Sequence, residues 1–224
     1  MHNILRAILS TSISAAGSLI WTKFISRLRR SQVLSSHQAR KLMHITTAPL
    51  FLATLPLYPS HPISRFLAAA VPLSHAISIL RAPKTNELVN AVARTGSKTD
   101  DAFATASYGI STAALVAVGW RASPATYIAL AAMCFGDGFA GMIGSTVRSP
   151  KLPLTNGKTI AGSTSCFIAT FLSSRIVLSL PQFPSISTTA LCMSAFAASL
   201  VEALPIQDNI TVPFTAFAFA KMFS

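Results

Sequence analysis

Long apolar stretches separated by short polar ones dominate the sequence. Uncharged windows cover residues 7–22, 42–64, 66–80, 102–120, 122–136, 159–174, 176–201 and 209–220. A helix needs about 20 mostly apolar residues to cross the hydrocarbon core of a bilayer, and an Arg near a helix end is tolerated because its side chain reaches the interface. The pattern predicts an all-α polytopic membrane bundle of seven or eight transmembrane helices, near residues 4–22, 44–60, 63–80, 104–120, 124–144, 163–181, 186–203 and 211–223.

The composition argues against a soluble protein. Of the 224 residues 51% are hydrophobic and only 11% are charged, whereas a typical globular domain has roughly 25% charged residues. A soluble helical bundle would need polar faces on its outer helices, and the sequence lacks them. The three cysteines lie in the apolar spans without metal-site spacing, so they are interpreted as small core residues.

The charge is strongly positive, with 18 Lys and Arg against 6 Asp and Glu. Nucleic-acid binding would need these cations on one folded surface, but they fall instead into every second connection between the predicted spans. This distribution is typical of the positive-inside rule and predicts that those connections face the cytosol or a plastid stroma. Thirteen cations follow it: Lys23, Arg27, Arg29, Arg30, Arg40, Lys41, Arg81, Lys84, Arg94, Lys98, Arg148, Lys151 and Lys158.

The N-terminal segment allows two interpretations. Residues 1–40 are rich in Ser and Arg and contain no acid, as in plastid or mitochondrial transit peptides. Residues Ile4 to Trp21 are also apolar enough to span a membrane, with the arginines that follow as a topology anchor. The sequence therefore predicts a segment 1–39, either a first span with a basic loop or a targeting segment, followed by a membrane domain over 40–224.

The six acids divide into two groups. Glu87, Asp100 and Asp101 lie in a polar stretch, 81–103, where exposure to solvent accounts for them. Asp137 and Glu202 lie toward the inner ends of predicted spans, and Asp208 lies just beyond one. A carboxylate flanked by apolar sequence at membrane depth is costly, and it therefore indicates a functional site.

Asp137 lies in a glycine-rich stretch that matches the GxGxxG pattern at residues 136–141. A dinucleotide fold would need a preceding strand and an acid about 20 residues later, but no acid occurs between Asp137 and Glu202. Ala132, Gly136, Ala140 and Gly144 recur every four residues, which is typical of close helix packing. Packing accounts for the glycines but not for the acid, so a functional role is favoured for Asp137.

Residues 152–159 end like a phosphate-binding loop, Asn156-Gly157-Lys158-Thr159. Leu152 stands where that motif requires glycine, and Pro153 lacks an amide hydrogen, so this is not a P-loop. A Gly-Lys-Thr turn before a helix nevertheless offers amides and an ammonium to a phosphate. A simple topology anchor is the alternative interpretation of Lys158.

Two further groups of polar residues lie near the beginning and near the end of the predicted membrane domain. Arg40 and Lys41 precede His44 by about one helical turn at the start of the second predicted span. Glu202 and Asp208 flank a chain break that Pro205 imposes. Two carboxylates on the membrane face that carries Asp137, amid cations, would suit a nucleotide triphosphate bound with Mg²⁺.

In this order the strings resemble the polyprenol kinase family, especially its phytol and farnesol kinase branch, which is similar to dolichol kinases and CTP-dependent diacylglycerol kinases. The likeness covers residues 40 to about 213. The family usually has two acids before the Asn of the last motif, whereas Gln207 precedes Asp208 here. The matching strings are Arg40-Lys41-x-x-His44-Ile45, Phe135-Gly136-Asp137-Gly138-x-Ala140, Asn156-Gly157-Lys158-Thr159-x-x-Gly162-Ser163, Glu202-x-Leu204-Pro205 and Asp208-Asn209-x-Thr211-Val212-Pro213.

The resemblance implies a membrane-embedded kinase that transfers the γ-phosphate of CTP, or of another nucleotide triphosphate, to an isoprenoid alcohol such as phytol or farnesol. It implies Mg²⁺ held by Asp137, Glu202 and Asp208, and catalysis by these acids with Lys158. It leaves open which acid is the base, and whether the compartment is the chloroplast, which the acid-free N-terminus favours, or the endoplasmic reticulum. The residues implied for nucleotide and phosphate binding are Arg40, Lys41, His44, Gly136, Gly138, Asn156, Gly157, Lys158, Thr159, Gly162, Ser163 and Asn209.

Two other functions compete with the kinase. A lipid cytidylyltransferase would also use CTP but would transfer the α-phosphate and release pyrophosphate. A transporter would place its polar groups near the bilayer midplane in two related halves, whereas the sequence shows no internal repeat and its polar groups lie toward one face.

Overall fold

The described part of the chain is predominantly helical. The computed structural model describes residues 2–81, 98–153 and 155–223, with the side chains of residues 98–101 left out. Within these residues there are eight α-helices and no β-strand beyond the isolated bridge of Lys151 and Thr159, which confirms the all-α prediction. The helices are α1 (His2–Arg30), α2 (Ser36–Leu52), α3 (Pro62–Arg81), α4 (Lys98–Gly119), α5 (Pro124–Thr146), α6 (Ile160–Leu178), α7 (Thr188–Glu202) and α8 (Asp208–Met222).

Among the described helices, five are long and apolar enough to cross a membrane: α1, α3, α4 from Ala102 onward, α5 and α6. The other three have 17, 15 and 15 residues, and at 1.5 Å per residue they reach about 23–26 Å, short of a 30 Å hydrocarbon core. Seven or eight spans were expected, whereas five of the described helices reach that length; of the other three, α7 is shorter than its predicted span 186–203.

Local signals set the helix boundaries and correct some of the expected ones. Helix α2 begins eight residues before the predicted span, because Ser35 and Gln38 form a capping box with reciprocal hydrogen bonds. Helix α1 continues through the basic cluster to Arg30 rather than ending at residue 22, since cations are favourable at a helix C-terminus. The expected loop cations Lys23 to Arg30 are therefore helical.

The acids of the polar stretch were expected in a loop. Asp100 and Asp101 instead belong to the first turn of α4, which begins at Lys98. Glu87, with Lys84 and Arg94, lies outside the described residues, so its expected role stays a prediction.

Contacts divide the chain into two compact units, residues 1–118 and 119–224. In the N-terminal unit α1 packs against α2 and α3. Helix α4 joins α2 through Tyr108, whose hydroxyl donates to the His44 carbonyl at 2.9 Å and whose ring lies 4.9 Å from the His44 ring. The predicted division at residue 40 falls inside this unit and stays a prediction.

In the C-terminal unit, four helices pack in sequence: α5 on α6, α6 on α7, α7 on α8, and α8 back on α5. This closed arrangement brings the middle of α5 beside the end of α7 and the start of α8. The break between α7 and α8, residues 203–207, contains Pro205 as expected. All four of the residues expected to be catalytic belong to this unit.

A π-helical turn, Ala132–Gly136, interrupts α5 immediately before Asp137. The following α-helical part starts at Asp137 itself. A π turn inserts one extra residue into the helical repeat, and such turns are frequent at functional sites. The turn therefore changes which face of α5 carries Asp137 relative to the residues before it.

Small residues hold α5 against α6. A Cβ atom at Gly136 would overlap Thr170 Oγ1 and lie 3.1 Å from Cys166 Sγ, and one at Gly144 would lie 3.4 Å from the Cα of Gly162. The helix-packing interpretation of this ridge is thus confirmed in geometry. Because Asp137 follows Gly136 directly, the same packing constrains the backbone that carries the Asp137 side chain.

We expect Gly136→Ala to destabilise the protein by about 1–3 kcal/mol, because the added methyl group overpacks the contact with Thr170. Gly141→Ala is the matched control on the same helix. A Cβ there meets nothing within 4 Å, and replacing a helical Gly by Ala is favourable by up to about 1 kcal/mol. Thermal unfolding of both purified variants in detergent measures the difference; equal midpoints would contradict the close packing at Gly136.

Candidate active site

Three carboxylates and one ammonium group meet in the C-terminal unit. Asp137, Glu202 and Asp208 each offer an oxygen, and these oxygens all lie within 4.8 Å of one another. Lys158 Nζ donates to Glu202 Oε1 at 2.5 Å and to Asp208 Oδ2 at 3.2 Å. The four residues come from positions far apart in the sequence, so the fold itself assembles the cluster.

Each member has a defined support. Asp137 follows the π turn of α5, Glu202 ends α7 and Asp208 begins α8. The five-residue break between α7 and α8 is short enough to keep the last two carboxylates side by side. Asp208 also lies in the first turn of α8, where the positive end of the helix dipole stabilises a carboxylate.

Lys158 is held by a compact loop, residues 147–159, which we call the Lys158 loop. The Leu152 amide donates to the Lys158 carbonyl at 2.8 Å, and the Ile160 amide donates to the Pro150 carbonyl at 3.0 Å. Beside them, Lys151 and Thr159 form an isolated antiparallel bridge. The loop therefore folds back on itself and directs the Lys158 side chain toward α7 and α8.

The side chains of the cluster differ in their exposure to solvent. The side chain of Glu202 is 2% exposed, that of Asp208 is 23% exposed and that of Lys158 is 31% exposed. Glu202 Oε2 is buried and has no hydrogen-bond partner among the described residues. Leaving a buried carboxylate oxygen without a partner is costly, so this atom indicates that the site accommodates a further electropositive group.

The electrostatic balance of the site is negative. Three carboxylates and one ammonium leave an excess of two negative charges when all four groups are ionised. Burial disfavours the charged form of Lys158, but Asp208, Glu202 and Asp137 outweigh burial and raise the pKa of Lys158 above its usual value. Lys158 therefore stays protonated at neutral pH and offsets only part of the carboxylate charge.

The donor set fits a divalent cation that prefers oxygen ligands. Mg²⁺ is typically bound at 2.0–2.1 Å by one or two protein carboxylates together with water and substrate phosphates. Oxygens on opposite sides of such an ion lie about 4.2 Å apart, so small side-chain adjustments suffice for oxygens within 4.8 Å. The partnerless Glu202 oxygen supplies an available ligand atom.

The residues expected to bind phosphate around Lys158 have various local roles. Thr159 is the N-cap of α6, and its hydroxyl accepts from the Gly162 amide at 3.1 Å. Gly157 adopts φ +83°, which favours glycine, and its amide donates to the Thr155 carbonyl at 2.7 Å. Asn156 is exposed on the same loop, and the Ser163 hydroxyl is buried without a hydrogen-bond partner in the described chain.

The remaining expected residues divide between the two units. Gly136 serves the packing of α5 on α6, and Gly138 follows Asp137 on the same helix. Asn209 lies next to Asp208 in the first turn of α8. Arg40, Lys41 and His44 lie on α2 of the N-terminal unit, so nucleotide binding by these three residues stays a prediction.

Sequence reasoning missed two structural features of the site. The first is the π turn before Asp137, which has no sequence signal beyond the density of glycines. The second is the direct pairing of Lys158 with Glu202, 44 residues later in the chain. Lys158 was expected either to contact phosphate or to act as a topology anchor, and a long-range ion pair of this kind leaves no local pattern.

The chain has several curated relatives of similar extent. It is 32% identical over 233 residues to the probable phytol kinase 1, chloroplastic, of Oryza sativa subsp. japonica, covering 97% of this chain and 74% of that protein. It is 33% identical to the probable phytol kinase 1, chloroplastic, of Glycine max, covering 91% and 72%, and 30% identical to the phytol kinase 1, chloroplastic, of Arabidopsis thaliana, covering 99% and 78%. No family model and no solved structure matches the chain.

Proposed function

The chain belongs to the phytol and farnesol kinase branch of the polyprenol kinase family, and on that basis we propose that it transfers the γ-phosphate of CTP to the hydroxyl of an isoprenoid alcohol such as phytol or farnesol. The observation that carries the proposal is the cluster of three carboxylates paired with Lys158. Phosphoryl transfer requires positioning and neutralisation of negative charge, and this cluster contains groups for both.

In the proposed reaction, the oxygen of the alcohol attacks the γ-phosphorus, and the bond between that phosphorus and the bridging oxygen of the β-phosphate breaks. The products are an isoprenoid monophosphate and CDP. A carboxylate of the cluster accepts the proton of the alcohol, and Lys158 approaches the transferred phosphoryl group. Transfer then relies on pre-oriented charges in a site of limited water access.

Asp137, Glu202 and Asp208 would hold Mg²⁺. When bound, this ion supplies positive charge that offsets the phosphates and orients them. The support is the oxygen-only donor set, its spread within 4.8 Å and the buried partnerless Glu202 oxygen. Lys158 keeps its charge in this arrangement and would contact phosphate oxygens once the nucleotide arrives.

The proposed location is a chloroplast membrane. The relatives are named chloroplastic, and five helices in the described part of the chain are long and apolar enough to span a bilayer. The exposed apolar side chains of α1, α3 and α6 would then face lipid tails, in which the isoprenoid chain of the substrate also dissolves. Resistance of the expressed protein to alkaline carbonate extraction from chloroplast membranes tests this placement; release into the soluble fraction would contradict it.

We expect membranes containing the protein to transfer label from γ-labelled CTP, but not from α-labelled CTP, to phytol or farnesol. The γ-label distinguishes a kinase from a cytidylyltransferase, which would transfer the α-label and release pyrophosphate. ATP, GTP and UTP in parallel test the choice of nucleotide. Absence of label transfer to any alcohol from any of the four nucleotides would contradict the kinase proposal.

We expect Glu202→Gln to weaken metal binding by roughly tenfold or more, because affinity in oxygen sites depends strongly on the number of ligand charges. Mn²⁺ is a suitable probe, since the free ion is quantified by electron paramagnetic resonance in the purified protein without nucleotide. Glu87→Gln is the control for loss of one acid elsewhere in the chain. Equal Mn²⁺ affinity in Glu202→Gln and the wild type would contradict a metal role for Glu202.

A further inference from the structure

A second charged feature lies in the N-terminal unit, where α1 turns into α2. An open cleft of about 590 Å³ is present there, outside the carboxylate cluster. Its lining comes from the last residues of α1, the connecting turn and the first turn of α2: Arg29, Arg30, Gln32, Val33, Leu34, Ser35, Ser36 and Gln38. We call this feature the arginine cleft.

The backbone of the turn is fixed by its own hydrogen bonds. The Val33 and Leu34 amides both donate to the Leu28 carbonyl, at 3.0 and 3.2 Å, and Gln32 adopts φ 58° to reverse the chain. The Arg29 side chain is also held in place, because its Nε donates to the Ser36 hydroxyl at 3.1 Å. The cleft therefore presents guanidinium groups from a defined frame.

The surrounding charge is positive. Lys23 and Arg27 are exposed on the preceding turns of α1, and residues 1–86 contain no Asp or Glu. Four cations at the end of one apolar helix form the type of cluster that anionic lipid headgroups attract. In the cluster that contains Asp137, by contrast, Lys158 is paired with carboxylates.

Apolar surface adjoins the cations of the arginine cleft. Val33 lines the cleft and is 66% exposed. An apolar contact of this kind would not stabilise a free anion or a nucleotide phosphate. On the turns of α1 that precede the arginines, large apolar side chains are also exposed: Leu19, Ile20 and Phe24. Along α1, exposed apolar residues are followed by cations. This order matches that of an acyl chain and its charged headgroup.

We infer that the arginine cleft binds the phosphate-bearing headgroup of an anionic membrane lipid. Arg29 and Arg30 contact the phosphate, Ser35 and Gln38 border the headgroup, and the exposed face of α1 contacts the acyl chains. The inference uses the membrane placement proposed above but not the kinase reaction. It adds a lipid contact that is distinct from the alcohol substrate, since the substrate carries a hydroxyl and no charge.

The test is lipid retention by the full-length protein, purified in detergent with equal amounts of phosphatidylglycerol and phosphatidylcholine and analysed by native mass spectrometry. We expect the wild type to retain phosphatidylglycerol preferentially. In Arg29→Gln/Arg30→Gln that preference is expected to fall by roughly 30-fold, since each cation near an anionic membrane surface contributes about a fivefold effect. Arg29→Lys/Arg30→Lys is expected to keep most of it.

The control is Arg6→Gln/Arg65→Gln, which removes two charges from the same unit but none from the cleft. An equal loss of preference in this control, or no loss in Arg29→Gln/Arg30→Gln, would overturn the inference. Displacement of phosphatidylglycerol by millimolar inorganic phosphate or CTP would also overturn it, because the cleft would then be a general phosphate site. The γ-label assay in phosphatidylcholine alone is a separate readout, so failure of this inference and failure of the kinase proposal are distinguishable.

Discussion

Replacing Asp137 by Asn is expected to lower the rate of phosphate transfer from CTP to phytol by about 10²–10⁴-fold, the usual range for loss of a positioned catalytic acid or base. The change keeps the size and shape of the side chain, so the packing of α5 on α6 should persist. It removes one of the three charges that lie within 4.8 Å of one another. Transfer of γ-label at saturating CTP and alcohol measures the effect.

A measurement of Mn²⁺ affinity in the same variant distinguishes two roles for Asp137. A metal ligand predicts that Asp137→Asn loses affinity together with activity, whereas a base that does not bind metal predicts loss of activity alone. Asp100→Asn is the control, because it makes the same chemical change in the first turn of α4. Activity of Asp137→Asn within about threefold of the wild type would contradict both roles.

Much of the fold was predictable because apolar length and proline positions act locally. The predicted spans 63–80 and 124–144 match α3 and α5 to within two residues. Both helices start at a proline, Pro62 and Pro124, whose fixed φ suits the first turn of a helix. The break after Glu202 was likewise predictable, because Pro205 cannot continue a helix.

Other helix boundaries depended on signals that hydropathy does not register. The capping box at Ser35 starts α2 within a polar stretch, and the basic end of α1 stays helical although its charges mark it as a connection. Hydropathy reports where a helix is apolar, whereas capping and the helix dipole decide where it begins and ends. The errors at α1 and α2 have this common cause.

The candidate site was predictable in membership more than in geometry. Scarcity of acids in an apolar chain identified Asp137, Glu202 and Asp208, and the structure brings them together. The sequence could not indicate that Lys158 pairs with Glu202, because that contact depends on how α6 and α7 pack. Nor could it indicate the π turn that directs Asp137, since backbone hydrogen bonding there departs from the regular repeat without a marker residue.

Lys158→Met is expected to lower the rate of phosphate transfer about as much as Asp137→Asn does. It is also expected to lower the free energy of unfolding by about 2–4 kcal/mol. Removing one partner of a largely buried ion pair leaves the other charge uncompensated, and Glu202 is only 2% exposed. Lys151→Met is the matched control, since Lys151 lies exposed on the same loop. Thermal unfolding in detergent and γ-label transfer measure the two effects separately.

Loss of activity through destabilisation alone must be distinguished from loss of a phosphate contact. The double variant Lys158→Met/Glu202→Gln removes both charges of the pair, and we expect it to recover most of the stability without recovering transfer. Recovery of activity along with stability would show that Lys158 serves only to neutralise Glu202. Persistent instability would indicate that the ion pair is not the source of the effect.

Mn²⁺ affinity gives a further test of Lys158. If Lys158 contacts the nucleotide phosphates, its loss should raise Mn²⁺ affinity, whereas if it supports the metal site, its loss should lower that affinity. An ammonium group that donates to both Glu202 and Asp208 repels a divalent cation at the same carboxylates. Lys158→Met should therefore bind Mn²⁺ roughly five- to tenfold more tightly than the wild type while it transfers no phosphate. Weaker Mn²⁺ binding in the folded variant would contradict the view that Lys158 and the metal use the same carboxylates. Tighter Mn²⁺ binding with lost transfer would indicate that Lys158 acts on the nucleotide phosphates and not through metal binding.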